Sequence, residues 1–111
     1  MDTIDDPHAL RILREAGETL RAIGRRKLAP SDWDAFDSAV RRMQAALDRG
    51  DLLEVRDIRS KIDMRFPRQR ARASLATVEQ PARTRTASEN LSRAIAERLA
   101  KVGRDADEPR R

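Results

Sequence analysis

This sequence has no cysteine and no tyrosine, and only one histidine, one tryptophan, two phenylalanines and four glycines in 111 residues. Without cysteine there is no disulfide, no thiol nucleophile and no thiolate zinc site. The lone His8 stands near Asp5 and Asp6 with no second His to set a metal geometry, so it reads as a surface or helix-end residue. The glycines are isolated, which leaves neither a phosphate loop nor a dinucleotide fingerprint. Ser31 and Ser88 have no base that the sequence makes visible, and both read as helix-end caps. Catalytic, cofactor-binding and metal-ligating residues are therefore expected to be absent, and the chain reads as a noncatalytic protein. No run approaches the roughly 18 apolar residues of a membrane span, so no membrane partner is expected. The acidic start Met1-Asp2-Thr3-Ile4-Asp5-Asp6 lacks the basic and apolar parts of a secretory signal, and a cytoplasmic location is the expectation.

What remains is strongly patterned. Apolar and charged residues each make up 39% of the chain, so the core must be thin and built mostly from Ala, Leu, Ile and Val. A first helix is expected from Pro7 to Ile23, capped by Asp6, with Leu13, Ala16, Leu20 and Ile23 on its inner face. Gly17 either weakens it or permits close packing, and Gly24 ends it before the basic connector Arg25-Arg26-Lys27. In the second helix Ser31 and Asp34 form a capping-box pattern, and Trp33, Phe36, Val40, Met43 and Leu47 repeat at spacings of three and four. Gly50 breaks that pattern and Asp51 caps a third helix carrying Val55, Ile58 and Ile62, so helices two and three should be antiparallel neighbours.

Phe66-Pro67 ends the third helix, and Pro81 marks a second interruption. Residues 70–78 could form a short strand, but no companion strand is evident and a crossover is preferred. The fourth helix is expected to begin at Ala87 or Ser88, with a Thr86/Glu89 capping box and an apolar face of Leu91, Ala94, Ile95, Leu99 and Val102, and to end at Gly103. The expected fold is all-α: a small bundle of three N-terminal helices, a basic crossover over residues 65–87 and a returning C-terminal helix. Residues 1–104 form one domain and 105–111 a charged tail.

The formal charge of +5 is unevenly placed. Residues 1–64 and 88–111 are nearly balanced, whereas 65–87 hold six arginines against one acid. Arg65, Arg68, Arg70, Arg72, Arg83 and Arg85 are thus the candidate partner-binding residues, available to an acidic protein surface or to nucleic acid, or simply solvated. They lack interleaved Tyr or Trp stacking platforms, and the acids of helices two and three interrupt any DNA-facing surface, which ranks nucleic acid below protein. Asp34 with Asp37, and Glu54 with Asp57, read as solvated acids paired with Arg41, Arg42, Arg59 or Lys61. Trp33 and Phe36 read chiefly as core, with Trp33 retained as a partner-contact candidate. The stripe from Trp33 to Leu47 could alternatively complete a homo-oligomeric bundle.

The layout adds a resemblance. From the first helix through Pro30-Ser31-Asp32-Trp33, the turn Ala46-Leu47-Asp48-Arg49-Gly50-Asp51-Leu52-Leu53, the Pro/Arg-rich connector and the final helix with Asn90 and Leu91, the chain resembles the CATRA-associated small proteins. The likeness covers most of residues 9–102. It implies a small helical accessory of prokaryotic conflict systems, whose larger components carry caspase-like and tetratricopeptide-associated domains. On that resemblance the partner is a larger protein, any protease chemistry belongs to that partner, and no catalytic residue transfers. The connector departs from the family pattern in being more basic, at Arg68, Arg70 and Arg72, and less proline-rich.

Overall fold

The computed structural model describes residues 6–66 and 76–107, with side chains over 7–66 and 76–102. Four helices account for most of them: α1 (Asp6–Gly24), α2 (Pro30–Asp48), α3 (Leu52–Arg65) and α4 (Ala82–Asp107). The protein is a small all-α bundle. Among the described residues no helix is long and apolar enough to cross a membrane.

Cross-helix contacts fix the directions. Glu15 meets Arg59 and Thr19 meets Asp63, so α1 and α3 run parallel. Asp37 meets Thr84 and Leu47 meets Arg98, which makes α2 and α4 parallel as well. The α2–α3 turn and the Asp32–Arg65 ion pair make those two helices antiparallel, as do Gly17 beside Ile95 and Gly24 beside Gln80 for α1 and α4. Each helix packs on two others, whereas α1 with α2, and α3 with α4, are diagonal pairs without close backbone contact. Consecutive helices are therefore joined across a diagonal twice, and residues 25–29 of the first connection lie at the same end of the bundle as Phe66 and residues 76–81, the described parts of the second.

Those crossing connections meet. Leu28 and Val78 exchange two backbone hydrogen bonds, of 3.0 and 2.8 Å, in an isolated antiparallel bridge. The companion that the strand-like stretch lacked in the sequence is thus Leu28, in a loop fifty residues earlier in the chain. Residues 70–75 of that stretch, like Pro67, lie outside the described residues. The crossover end also gathers every aromatic residue of the chain: Trp33 and Phe36 pack edge-on at 5.8 Å, and Phe36 and Phe66 at 6.4 Å. At the opposite end Gly50 takes φ +75°, the left-handed conformation that a tight helix-to-helix turn needs and that other residues adopt only with strain.

Several helix ends differ from the sequence expectation. α2 begins at Pro30, with Ala29 as its N-cap and no side-chain cap, because the Ala29 carbonyl takes the Asp32 and Trp33 amides and Pro30 has no N–H to satisfy. Ser31 consequently does not cap. α3 is capped as expected, the Asp51 carboxylate accepting the Glu54 amide at 3.2 Å. α4 starts five residues before Ala87: the Pro81 carbonyl accepts the Arg85 amide, so this proline introduces the helix rather than breaking the chain before it. Thr86 donates to the Ala82 carbonyl inside the helix, and Ser88 is buried, so neither caps. α4 also continues through Gly103 to Asp107, since one helical glycine costs only about 1 kcal/mol and no proline follows at once. The crossover accordingly shrinks from 65–87 to 66–81, and residues 105–107 of the expected tail are helical.

One core runs through all four helices. It takes Ile12, Leu13, Ala16, Leu20 and Ile23 from α1, the Trp33-to-Leu47 stripe from α2, and Val55, Ile58 and Ile62 from α3. Among its described side chains α4 adds Leu91 and Ile95 as fully buried apolar residues, with Ala87, Ala94, Leu99 and Val102 at the margin. Its first two turns bury Thr84 and Ser88 instead. The α2 stripe is consumed inside one chain, leaving none of it to build a homomeric bundle.

Candidate functional site

The crossover end brings together charges that are far apart in sequence. Arg25 and Lys27 are exposed on the first crossing connection, Arg65 is the last residue of α3, and Arg83 and Arg85 are exposed on the first turn of α4. The Leu28–Val78 bridge and the approach of Gln80 to Gly24 hold these segments at one end. Five exposed cations thus share that end with Asp32, Asp34, Asp63 and Glu79 as the nearby acids in sequence. The charge of the connector Arg25-Arg26-Lys27 was visible in the sequence, but nothing local tied it to the later arginines. Only the diagonal topology does.

The candidate residues divide accordingly. Arg65 keeps an exposed guanidinium, pairs with Asp32 at 3.2 Å and lies 5.6 Å from the Phe66 ring centre. Arg83 and Arg85 are helical rather than part of a loop, and Arg85 Nη2 reaches back 3.5 Å to the Gln80 carbonyl. Arg68, Arg70 and Arg72 lie outside the described residues. Trp33 is only 1% exposed and its indole N–H donates to the Val78 carbonyl at 2.8 Å, so it is a structural anchor of the crossover with no surface to offer in this fold. The same carbonyl accepts the Leu28 amide. Arg26 donates to the Phe66 carbonyl at 3.0 Å and so satisfies the C-terminal end of α3, where free carbonyls and the helix dipole favour a cation.

A cleft of about 640 Å³ lies between the parallel helices α1 and α3 and reaches the crossover end, where Arg25, Arg26 and Phe66 line it. Its wall is a charge network: Arg59 binds Asp63 at 2.6 Å and Glu15 at 3.6 Å, while Thr19 donates to Asp63 at 3.4 Å. Arg59 thus pairs with Asp63 and Glu15, and not with the Glu54 and Asp57 pair. Cations and acids alternate along this cleft and largely cancel, leaving no net charge to select a ligand. The Asp57–Lys61 pair is an exposed, ordinary i,i+4 contact, and Asp37–Arg41 has the same spacing.

Asp37 differs from the other acids in position. It is mostly buried between α2 and α4, accepting from Arg41 at 2.7 Å and from the Thr84 hydroxyl at 3.0 Å. The Arg41 hydrogen bond lowers its pKa below the usual aspartate value, against the opposing effect of burial and with help from Thr84. This ties α4 to α2 and presents no reactive group. His8 is half-buried in the first turn of α1, and among the described residues no group of three or more His, Cys, Asp or Glu could hold a metal ion. Ser31 is exposed on the first turn of α2, on a different helix from the buried Ser88. No family model, curated protein or solved structure matches this chain.

Proposed function

We propose that this chain is a noncatalytic adaptor or regulatory accessory of a prokaryotic conflict system, which docks its basic crossover end on an acidic surface of a larger protein. The observation that carries the reading is the convergence of Arg25, Lys27, Arg65, Arg83 and Arg85 at one end of the bundle, whereas the adjoining cleft, which shares Arg25 with it, is charge-balanced. A predominantly basic patch on a packed helical platform steers encounter and sets orientation without reactive groups. The resemblance to the CATRA-associated small proteins supplies the partner class, namely proteins with caspase-like or tetratricopeptide-associated domains, and a cytoplasmic setting accompanies it.

The test is titration against such partners at several salt concentrations. Replacing the five cations with Gln is expected to weaken association most strongly at low salt, with helical content unchanged. Association insensitive to these replacements, or none with either partner class, overturns the reading. The same patch also suits a phosphate backbone, so the assay includes DNA and RNA; binding there that falls steeply with salt would make nucleic acid the partner instead.

A further inference from the structure

We infer that the outer face of α1 is a binding ridge for the phosphate backbone of a nucleic-acid duplex. Arg11, Arg14, Arg21 and Arg25 follow one another along it with Glu18 in their midst, and all five side chains are exposed. Their spacing of three and four residues puts them on one stripe, opposite the buried Ile12, Ala16, Leu20 and Ile23. From Arg11 to Arg25, just past the helix end, the stripe runs about 21 Å, the rise of about six base pairs. Gly17 lets Arg21 lie along the helix surface, its Nη1 3.5 Å from where a Cβ at residue 17 would stand.

The bundle separates paired charges from unpaired ones. Asp37–Arg41, Asp57–Lys61, Arg59–Asp63 and Asp32–Arg65 all lie within α2 and α3. Among the described residues no ion pair or side-chain hydrogen bond takes Arg11, Arg14, Arg21 or Arg25. The diagonal topology keeps the acids of α2 away from them, because α1 and α2 have no close backbone contact. On one flank Glu15 and Asp63 are both held by Arg59. On the other, α4 sets Arg85 and Arg93 against Glu89 and Glu97. Neither flank cancels the stripe.

The partner class follows from what this face lacks. A protein partner would need buried apolar anchors, yet among the described residues the exposed large apolar side chains are Leu53, Met64 and Val78, none of them on α1 or α4. A single strand would need aromatic platforms for its bases, and Trp33, Phe36 and Phe66 are all buried. The stripe has no Asn or Gln to read an adenine edge, and guanidinium groups in line match phosphates, which carry no sequence information. The ridge meets the crossover end only at Arg25, so this inference concerns a different surface from the adaptor reading and does not depend on it.

The test is fluorescence anisotropy on the full chain, with labelled DNA and RNA duplexes of about 20 base pairs and with one strand of each alone. Both duplexes are expected to bind more tightly than the single strands, with affinity falling steeply as salt rises; tighter binding to one duplex names DNA or RNA as the source. Arg11→Gln/Arg14→Gln/Arg21→Gln should weaken duplex binding at least about tenfold at low salt and lower the slope of log K against log salt by about 2–3, with circular dichroism unchanged. The set Lys27→Gln/Arg65→Gln/Arg83→Gln at the crossover end removes the same charge and should weaken duplex binding less than about threefold. Glu18→Gln, which removes the acid of the stripe, should tighten it. Equal losses in the two sets, a larger loss at the crossover end, an unaffected Glu18→Gln variant, a preference for single strands or no duplex binding at low salt overturns the inference. The α1 set should keep any association with caspase-like or tetratricopeptide-associated partners. Its loss would make this face part of the protein-docking surface and overturn the inference while leaving the adaptor reading in place.

Discussion

α2 and α4 run parallel in the same bundle and face the same core, yet they are held in opposite ways. α2 buries Trp33, Phe36, Val40, Met43 and Leu47 along one unbroken stripe, and the described side chains of α4 bury two aliphatic and two small polar residues, with Ala87, Ala94, Leu99 and Val102 partly buried beside them. Burial of apolar area accounts for α2, at about 25 cal/mol per Å². Polar connections join α4 to α2 at Thr84, which donates to Asp37, and at Arg98, which donates to the Leu47 carbonyl. A helix can thus be placed by a few directional bonds and small-residue fit as well as by one continuous apolar stripe.

The contrast breaks most visibly under truncation. Phe36→Ala removes the central ring of the three-aromatic cluster and is expected to destabilise the chain by about 3–5 kcal/mol, with all four helices lost in one step by circular dichroism. Leu91→Ala is expected to cost about 2–5 kcal/mol, but hydrogen exchange should place the loss in α4 first. If both variants unfold every helix together, α4 is as integral as α2 and the contrast fails.

A smaller effect probes the crossover. Trp33→Phe keeps most of the ring and removes the donor to Val78, and a loss of about 1 kcal/mol is expected, together with faster exchange at the Leu28 and Val78 amides. Unchanged exchange there would mean that the bridge stands without the indole.

Acidification gives the smallest and most local effect. Because the folded-state pKa of Asp37 is depressed from 3.8, its contribution is fully present above the unfolded value and is lost as pH falls through the folded one. α4 is therefore expected to loosen in acid before α2 and α3 do, as read by exchange at residues 84–95. Asp37→Asn should remove that part of the pH dependence. A variant with the parent's acid profile would assign the loosening to another group.

Much of the bundle was legible from local rules. The i, i+3, i+4 stripes of α1 and α2, the Asp51 cap and the Gly50 turn are written in neighbouring residues, since helix periodicity and capping act over three or four positions. The start of α4 was misread for a physical reason: Thr84 and Ser88 continue the inward face of Leu91 and Ile95 at helical spacing, but as small polar residues they carry no hydropathy signal. Proline at the crossover pointed equally to a break and to a helix start, and only the Arg85 amide on the Pro81 carbonyl decides between them.

Residue type and local spacing are enough to make the chain helical, to set where its large apolar side chains point and to concentrate its positive charge after residue 64. Tertiary structure alone decided that both connections cross the same end. That arrangement pairs Leu28 with Val78, turns Trp33 from a possible contact residue into an anchor and adds Arg25 and Lys27 to the arginines of the later segment. Such pairings join positions about fifty residues apart, and no local periodicity encodes which diagonal a helix takes.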